Sequence, residues 1–537
     1  MEMKDKTDGW KLFANLPSLV VGGFKPAAGI GAGWISFEYE FDDFAGTGLA
    51  TGALSPAGEL VLDLGLNGWH RFYISHTPAI RVWLDGNKGY CEVPGLSSDV
   101  RDFAFPACDF TGKRLHIAPV RGAASSRELI VFYLRAEPCS PYNSHRNLVA
   151  TNDGHDIFWA GIDSPRDIYR HIFPFKDSDF FRMLWGVYGG GPVWTRPDVA
   201  GADIIPRDDS TSFYANQWVF NQSIRRVLSA GADPLAIVRE ATREIGMELH
   251  FYFRVGAFYA PFPMHALTTR VFVENPQWRC RDEFGREVKR ISYAYPEVQD
   301  MILAYFKGLL EYQPDGLCLA FNRGLPLMIC EEPVIEAFRK MYGRLPRLPE
   351  EVDSPEMLAV RHQLLAGFVE RVHRLVSEKG RVLSCIVPRD FETNLLFGLD
   401  IETLVKKGLF ESVMVGAGHK DNPSLNTQLE PLQRLKSMGT KVYAGGSDCP
   451  AHGNAWVKGN LLARARYMAS ILDAGLDGGY FWDAEAIIGT EWEAMRCFGD
   501  RAILDRIING QWPRVKYHDT RRIHDLFVDR YNPWNAY

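Results

Sequence analysis

Apolar and polar residues alternate along the first quarter of the chain. The segment WISFEYEF at residues 34–41 places apolar or aromatic side chains at every second position, and ELVLDLGL, HRFYIS, RVWLDGN and RELIVFYLR repeat the pattern up to about residue 135. A period of two is typical of strands with one buried face, and the Gly, Pro, Asn and Asp residues between the segments indicate turns. Because no helical pattern intervenes, residues 1–140 are predicted to form an antiparallel β-sandwich.

The pattern changes after the Pro-, Ser- and Asn-rich segment 136–147, which is predicted to be a linker. Beyond it, apolar strands alternate with amphipathic helices that start near residues 233, 296 and 356, as in parallel βαβ units. Because eight strands close a (β/α)8 TIM barrel, residues 141–537 are predicted to be a barrel catalytic domain with a C-terminal extension. The strand candidates are 148–154, 180–190, 249–256, 316–323, 382–388, 412–418, 441–448 and 478–485.

Polar residues stand at the carboxyl ends of these predicted strands. In a parallel barrel the strand carboxyl ends open onto one face, where binding residues gather. The apolar run PDGLCLAFNRG ends on Asn322 and Arg323, which are therefore predicted pocket residues. The other polar candidates at or after strand ends are Asp153, His155, Glu331, Glu332, Asp390, Asp448, Asp483 and Glu485.

The third predicted strand has one polar face, because His250, Tyr252 and Arg254 alternate with apolar residues. Helices cover the outside of such a barrel, so this polar face is expected to point inward. A buried Arg254 is costly unless it is paired, and we therefore expect a carboxylate beside it.

Several candidates also have an ordinary structural explanation. Asp390 precedes NLLFGLDIETL and is as well placed to cap a helix as to react. Glu331 and Glu332 lead into PVIEAFRKMYG, and one of them is expected to serve that helix amino terminus. Trp185 and Trp482 suit either core packing or stacking on a ligand. The convergence of several acids on one rim favours a functional site.

Composition narrows the range of partners. The chain of 537 residues carries 60 Lys and Arg against 66 Asp and Glu, a net charge of -6 that does not favour nucleic acid as a partner. No apolar run approaches the length of a membrane helix and the amino terminus lacks a secretory pattern, so we expect a cytoplasmic protein without a membrane partner. A homo-oligomer stays possible.

Sequence motifs for other chemistries are missing. The chain has no GxxxxGK[ST], HExxH or GxSxG, and its nine cysteines show no CxxC spacing. GIGAG at residues 29–33 precedes a predicted strand, whereas a dinucleotide loop precedes a helix. Neither a cofactor nor a metal is expected.

Part of the chain resembles a known family. The segments SYAYPEVQDMILAYFKGLLEYQPDGLCLAFNRG, PVIEAFRKMYG and GLDIETLVKKGLFESVMVG are similar, within residues 147–490, to uncharacterised glycoside-hydrolase-like TIM-barrel proteins described as family ten glycosylhydrolase-like. The resemblance implies an acid near the end of strand four and a nucleophile at the end of strand seven. Those places hold Glu331 or Glu332 and Asp448. Relatives often carry an Asp within strand four, where this chain has Ala320.

These observations lead to the hypothesis of a glycoside hydrolase that acts on a small glycoside or oligosaccharide. Glycosidic hydrolysis uses one protonated and one ionised carboxyl group. We expect Asp448 to be the ionised group and Glu331 or Glu332 the acid, with Asp390 in reserve. The expected substrate-binding residues are Asn322, Arg323, Arg254, His250, Asp153, His155, Trp185, Trp482, Asp483 and Glu485.

Two other functions stay open at this point. A metal-assisted isomerase, lyase or hydrolase on the same barrel could use Asp153, His155 and Glu485 as ligands. A carbohydrate-binding protein without activity would account for the missing acid at Ala320. The fold cannot choose among them, because barrels host many reactions.

Overall fold

The computed structural model describes residues 9–28, 33–41, 44–52, 57–77, 79–93, 102–120, 129–159, 162, 164–188, 215–260, 268–322, 325–416, 429–445, 461–482, 484, 492–512 and 522–523. These residues form two compact units. The first contains the described residues of Met1–Arg146, Ala160–Asp179 and Ala486–Tyr537, and the second those of Asn147–Trp159 and Phe180–Glu485.

Extended segments dominate the first unit and alternate with helices in the second. The strands up to residue 138 are β1 (Lys11–Phe13), β2 (Trp34–Glu40), β3 (Ala45–Thr51), β4 (Leu60–Leu62), β5 (Trp69–Thr77), β6 (Ile80–Leu84), β7 (Cys91–Val93), β8 (Asp102–Ala104), β9 (Cys108–Asp109), β10 (Leu115–Pro119) and β11 (Leu129–Pro138). The later strands are β12 (Leu148–Asn152), β13 (Phe180–Tyr188), β14 (Glu248–Arg254), β15 (Arg279–Arg281), β16 (Glu287–Ile291), β17 (Gly316–Ala320), β18 (Val382–Val387), β19 (Ser412–Gly416), β20 (Lys441–Gly445), β21 (Gly478–Phe481) and β22 (Arg522–Ile523).

The helices follow the strands in the order that a βα repeat requires. They are α1 (Asp156–Trp159), α2 (Ala215–Ser229), α3 (Pro234–Glu244), α4 (Arg270–Glu274), α5 (Pro296–Leu310), α6 (Glu332–Tyr342), α7 (Pro355–Glu378), α8 (Phe391–Leu396), α9 (Ile401–Lys406), α10 (Leu429–Ser437), α11 (Leu461–Asp473), α12 (Trp492–Met495) and α13 (Arg501–Ile508). The three helices predicted near residues 233, 296 and 356 are α3, α5 and α7.

Local sequence explains where these helices begin. The Asp233 side chain caps α3 by accepting hydrogen bonds from the backbone N–H groups of Leu235 and Ala236 at 3.0 and 3.3 Å. Pro296 occupies the start of α5, where its missing N–H has no intrahelical partner to lose. Ser354 caps α7 through the N–H of Met357 at 3.2 Å.

The first unit contains two separate antiparallel sheets. The larger has eight strands, in the order β22, β2, β3, β11, β5 and β8, with β1 on β11 and β9 on β5, and the smaller has the order β4, β10, β6 and β7. Ile74 and Leu134 of the larger sheet belong to the same buried cluster as Val82 and Leu115 of the smaller. The β-rich character of this region is as predicted, and its packing as a sandwich stays a prediction.

The second unit is a closed parallel barrel of β12, β13, β14, β17, β18, β19, β20 and β21. All eight predicted strands are present. β12, β14 and β18 end one or two residues before their expected limits, and the predicted ends of the other five reach residues outside the described part of the chain. The barrel middle is filled by apolar side chains of alternate strand positions, including Leu184, Cys318, Ile386 and Met414. Ala320 belongs to this interior cluster and is fully buried.

A charged cluster closes the amino end of the barrel interior. The Arg182 guanidinium donates to Glu248 Oε2 at 2.8 Å, to Glu411 Oε2 at 3.0 Å and to Ser412 Oγ at 2.7 Å. These residues lie at or beside the starts of β13, β14 and β19. The opposite, carboxyl end is where the predicted pocket residues stand.

The segment predicted to be a linker is partly ordered by side-chain contacts. Residues 136–138 belong to β11 and pair with β5. Further on, the Tyr142 hydroxyl and the His145 backbone N–H both donate to Asp179 Oδ1, at 3.0 and 2.8 Å. The Gly499 backbone N–H donates to the other oxygen, Asp179 Oδ2, at 2.9 Å. These long-range contacts explain why the described residues of 160–179 and of 486–537 belong to the β-rich unit.

The described part of the chain contains no helix that is both long enough and apolar enough to span a bilayer.

Candidate functional site

An ion pair lies at the carboxyl ends of two barrel strands. Asp153 follows β12 directly, and Arg254 is the last residue of β14. Arg254 Nη2 forms a salt bridge with Asp153 Oδ1, and the Tyr252 hydroxyl donates to the same carboxylate oxygen. The carboxylate predicted beside Arg254 is therefore Asp153. This pairing links the ends of β12 and β14 across the intervening β13.

Both members of this buried pair keep their charge. The side chains of Arg254 and Asp153 are 6% and 12% exposed. Burial opposes ionisation of Asp153, but the Arg254 charge, the nearby His155 and the hydrogen bonds from Arg254 and Tyr252 together hold its pKa below the usual range. The pKa of Arg254 is raised despite its burial, because Asp153 stabilises the guanidinium. Both groups are charged at neutral pH.

The rings of Tyr252 and Trp482 pack around the Arg254 guanidinium. The Arg254 guanidinium lies 5.4 Å from the centre of the Trp482 ring, and the Tyr252 and Trp482 ring centres are 5.8 Å apart. Trp482 is 1% exposed. The ring therefore packs beside Arg254 in the barrel interior, which is one of the two placements that the sequence allowed for it.

Trp185 is buried on the other side of the barrel strand. Leu184 belongs to the barrel interior cluster, so the next residue of β13 faces the opposite side of the strand. Trp185 is 2% exposed. The Trp185 ring is therefore packed in the protein interior, which is one of the two placements that the sequence allowed for it.

Asn322 stands two residues beyond the end of β17, the strand that pairs with β14. Arg254 is paired with Ala320 in the β14–β17 register, and Asn322 follows two residues later. The side chain is half-buried, and its buried Oδ1 has no hydrogen-bond partner among the described residues. Buried amide oxygens in native proteins are nearly always bonded, so this acceptor has capacity for a ligand donor.

His155 is close to the ion pair, and His250 is deeper in the barrel. His155 is buried, and its Nδ1 lies 3.1 Å from the Asp153 backbone oxygen. His250 is fully buried, and its Nδ1 lies 2.9 Å from Ser384 Oγ. Two positions before Tyr252 on β14, His250 belongs to the amino half of the strand and not to its carboxyl end.

Glu331 orders a loop. Its carboxylate accepts from the Ser292 hydroxyl and from the backbone N–H groups of Arg281 and Ile329, the latter two at 3.2 and 3.1 Å. These bonds join the hairpin of β15 and β16 to the start of α6. Burial raises the pKa of Glu331 in spite of these bonds.

The two remaining described acids occupy helix starts. Glu332 is exposed in the first turn of α6, which confirms that one of the two neighbouring glutamates serves the helix amino terminus. Asp390 caps α8, because its side chain accepts from the Thr393 N–H at 3.0 Å and from the Thr393 hydroxyl at 2.5 Å. These bonds lower the pKa of Asp390.

Four predicted site residues lie outside the described part of the chain, namely Arg323, Asp448, Asp483 and Glu485. The structure thus brings together Asp153, His155 and Arg254, with Asn322 on the adjoining strand end. The predicted site did not include Tyr252, although it lies on the same polar face as His250 and Arg254. The alternation of polar and apolar residues along β14 could have identified Tyr252 as a site residue.

The described residues show no group of three or more His, Cys, Asp or Glu side chains arranged to hold a metal ion. Asp153 and His155 are neighbours, but the nearest charged partner of Asp153 is the Arg254 cation. Because a divalent ion beside Asp153 would be repelled by this guanidinium, the described geometry does not favour a metal at this carboxylate.

Comparisons with known proteins were made at the level of sequence and of structure. No protein-family model matches the chain, and no curated protein sequence matches it. The resemblance to the family ten glycosylhydrolase-like proteins therefore has no support from a family model.

Several solved structures of glycoside hydrolases are similar to this chain. The glycoside hydrolase domain of PgaB from Bordetella bronchiseptica is 13% identical, with a TM-score of 0.40, over 65% of this chain and 97% of that one. The α-L-fucosidase isoenzyme 2 of Paenibacillus thiaminolyticus is 16% identical, with a TM-score of 0.37, over 68% and 50%. The α-galactosidase of Thermus thermophilus is 11% identical, with a TM-score of 0.36, over 88% and 94%. Similarity of this extent does not establish a shared activity.

Proposed function

We propose that this protein is a glycoside hydrolase whose substrate lies at the carboxyl end of the barrel. The observation that carries the proposal is the buried Asn322 Oδ1, which lacks a donor among the described residues. A sugar hydroxyl supplies such a donor, and it also has lone pairs for the amide N–H groups of the same side chain. The amide therefore fits a hydroxyl-rich ligand.

The neighbouring ion pair adds a second polar contact surface. Arg254 and Tyr252 both bind Asp153 Oδ1, and a carboxylate has acceptor capacity on two oxygens. The pair is fixed by strand ends and by the Trp482 ring, so it needs little reorganisation when a ligand binds. In this proposal Asp153 accepts hydrogen bonds from sugar hydroxyls and stays ionised throughout.

The proposed reacting carboxyl groups are Asp448 and Glu331. Asp448 follows the seventh barrel strand, where it would act as nucleophile or as base for water. Burial raises the pKa of Glu331, which is the direction that a general acid needs. Asp390 and Glu332 are left with their roles at helix starts.

One observation favours a second candidate function. Ala320 occupies the strand-four position that carries an acid in the family the chain resembles, and its side chain is buried in the apolar interior cluster. A carbohydrate-binding protein that has lost its activity would need no acid there. It would bind the sugar without cleaving it.

The test is a screen for hydrolysis of chromogenic glycosides and oligosaccharides, followed by Asn322→Ala on the substrate found. Loss of one hydrogen bond to a sugar hydroxyl is expected to lower kcat/KM by about three- to tenfold. The matched control is Gln277→Ala, since Gln277 is an exposed amide that bonds to Asn275. Equal effects of the two variants would contradict the assignment of Asn322, and binding without turnover by the unaltered protein would favour the second candidate.

A further inference from the structure

The ion pair at the carboxyl end of the barrel has unused hydrogen-bonding atoms on both of its members. Arg254 contacts Asp153 Oδ1 and the Tyr252 hydroxyl through Nη2. Its Nε and Nη1 groups, which carry three of the five guanidinium N–H donors, bond to none of the described residues. Asp153 Oδ2 likewise receives no hydrogen bond from a described residue, because Arg254 and Tyr252 both bind Oδ1.

These unused atoms are open to solvent. They are not among the described side-chain atoms that are both unpaired and closed to solvent, although the side chains of Arg254 and Asp153 are only 6% and 12% exposed. The small accessible part of each side chain therefore includes its free atoms. Arg254 ends β14 and Asp153 follows β12, so these atoms lie at the carboxyl ends of the strands, where barrels bind their ligands.

The free atoms of the pair require a ligand that both donates and accepts hydrogen bonds. A carboxylate could accept from Arg254, but it has no hydrogen to donate and would face the free oxygen of Asp153, which has the same charge. An ammonium group could donate to Asp153 but would be repelled by Arg254. A neutral hydroxyl compound meets neither repulsion, because each hydroxyl donates one hydrogen bond and accepts two.

The number and spacing of the free atoms fit two adjacent hydroxyl groups better than one. One hydroxyl has two lone pairs, so it leaves at least one of the three free Arg254 N–H groups without a partner. Asp153 Oδ2 and Arg254 Nη1 are at most about 7 Å apart, because each is bonded to the same carbon as an atom of the shared contact. One hydroxyl with a hydrogen bond of about 2.8 Å on each side bridges about 5.6 Å, whereas two adjacent hydroxyls, with oxygens about 3 Å apart, bridge the full distance.

From these observations we infer that Asp153 and Arg254 form a diol clamp, in which one sugar hydroxyl donates to Asp153 Oδ2 and its neighbour on the ring accepts from Arg254. The inference rests on the proposed function, because it specifies which sugars that site takes. The ring bound in the barrel mouth carries two adjacent hydroxyl groups without substituents. A glycan chain therefore does not continue from either of these two positions.

The test begins with the methyl glycosides of glucose, galactose, mannose, xylose, fucose and N-acetylglucosamine, whose binding to the unaltered protein is measured by ligand-observed NMR titration. The glycoside that binds most tightly is then compared with its monodeoxy analogues at each ring hydroxyl. Removal of either of two adjacent hydroxyls is expected to weaken binding by about tenfold or more, the scale of a hydrogen bond to a charged group. This comparison uses the unaltered protein and does not depend on the stability of a variant.

Arg254→Lys identifies which hydroxyl accepts from the guanidinium. Lysine keeps the positive charge beside Asp153 but lacks the Nε and Nη1 donors. The variant is expected to bind the parent glycoside about tenfold more weakly, as expected for the loss of a charged hydrogen bond. In this variant, removal of the hydroxyl that accepts from Arg254 should weaken binding no further, because that bond is already lost. Removal of the hydroxyl that donates to Asp153 should still weaken it.

The matched control is Arg239→Lys. Arg239 is 8% exposed and pairs with Asp315 at 2.6 Å, and Asp315 directly precedes β17, at the amino end of the barrel. This variant should bind the parent glycoside and its deoxy analogues like the unaltered protein. Thermal unfolding should show that both lysine variants are folded at the temperature of the titration.

Four results would overturn the diol clamp. They are the absence of binding by all six glycosides, binding that does not depend on two adjacent hydroxyls, equal effects of every deoxygenation on the unaltered protein and Arg254→Lys, and tenfold tighter binding of methyl glucuronide than of methyl glucoside. Turnover of a glycoside without the diol requirement would overturn the clamp and leave the proposed hydrolase intact. A diol bound as inferred, with no hydrolysis of any glycoside that carries it, would contradict the hydrolase and support the clamp.

Discussion

His250 and Arg254 share one face of β14 but have opposite electrostatic surroundings. Arg254 has a carboxylate partner and stays charged, whereas His250 is fully buried with Arg182 nearby. Burial, and to a smaller extent the Arg182 charge, lower the pKa of His250 well below its usual value. Its Nε2 has no hydrogen-bond partner in the described part of the structure, as expected of a neutral ring that uses Nδ1 towards Ser384.

The buried neutral His250 predicts a pH dependence of stability. Its pKa is lower in the folded than in the unfolded chain, so the unfolded chain binds a proton first as the pH falls below about 6.5. Folding stability should therefore fall with pH below that value, by up to about 1.4 kcal/mol per pH unit from this residue. His250→Asn keeps a donor near the Nδ1 position and should reduce this loss.

The measurement is denaturant unfolding of both proteins at pH 7, 6 and 5. His362→Asn serves as the control, because His362 makes its hydrogen bond to Leu395 at the protein surface. A pH dependence that His250→Asn leaves unaltered would show that His250 does not contribute to it.

Whether a polar residue at a strand end reacts could not be predicted from its type alone. Asp390 and Glu332 follow the same strand-end rule as Asp153, yet they serve helix starts, as local sequence also allowed. The pairing of Arg254 with a carboxylate could be predicted, because burial of an unpaired guanidinium is costly. The identity of the partner could not, since Asp153 and Arg254 are about a hundred positions apart.

At the scale of elements, the Asp153–Arg254 pair connects strands that are not hydrogen-bonded to each other, because β13 lies between β12 and β14. Removing one partner leaves a buried charge without compensation. Asp153→Asn is therefore expected to lower the free energy of unfolding by about 3–5 kcal/mol. Arg254→Met should have a similar effect, and the double variant should lose less than the sum of the two, because no buried charge is left.

Chemical denaturation of the two single variants and the double variant measures this coupling. Asp300→Asn is the matched control, because Asp300 pairs with Arg371 at the surface with a side-chain exposure of 65%. Its effect should stay below about 1 kcal/mol. Strictly additive effects of Asp153→Asn and Arg254→Met would mean that the pair does not act as a unit.

The barrel strands could be predicted because each is a short apolar run bounded by turn residues, buried on both faces. The short strands β7, β8 and β9 of the β-rich unit could not, since two or three residues carry no recognisable period. The hairpin of β15 and β16 lies in the connection of residues 255–295 between β14 and α5, which is long for a βα loop. Its length signalled extra structure but not its form.

At the scale of the whole molecule, the division into units depends on contacts that sequence does not reveal. The Arg496 guanidinium donates to Asp177 Oδ2 at 2.9 Å, although the two residues are 319 positions apart in the sequence. Such contacts assign residues of 160–179 and of the region after 486 to the β-rich unit. The predicted limits of 1–140 and 141–537 followed a change in periodicity, which cannot show that a chain returns to an earlier unit.

The measurement that tests the central claim most directly is the turnover of the identified glycoside by Asp448→Asn. Asparagine keeps the size of the side chain but cannot carry the negative charge that a nucleophile or base needs. We predict that this variant binds the sugar and melts like the unaltered protein, yet loses at least about 100-fold in kcat. Turnover close to that of the unaltered protein would contradict the assignment of Asp448 and the carboxylate mechanism proposed around it.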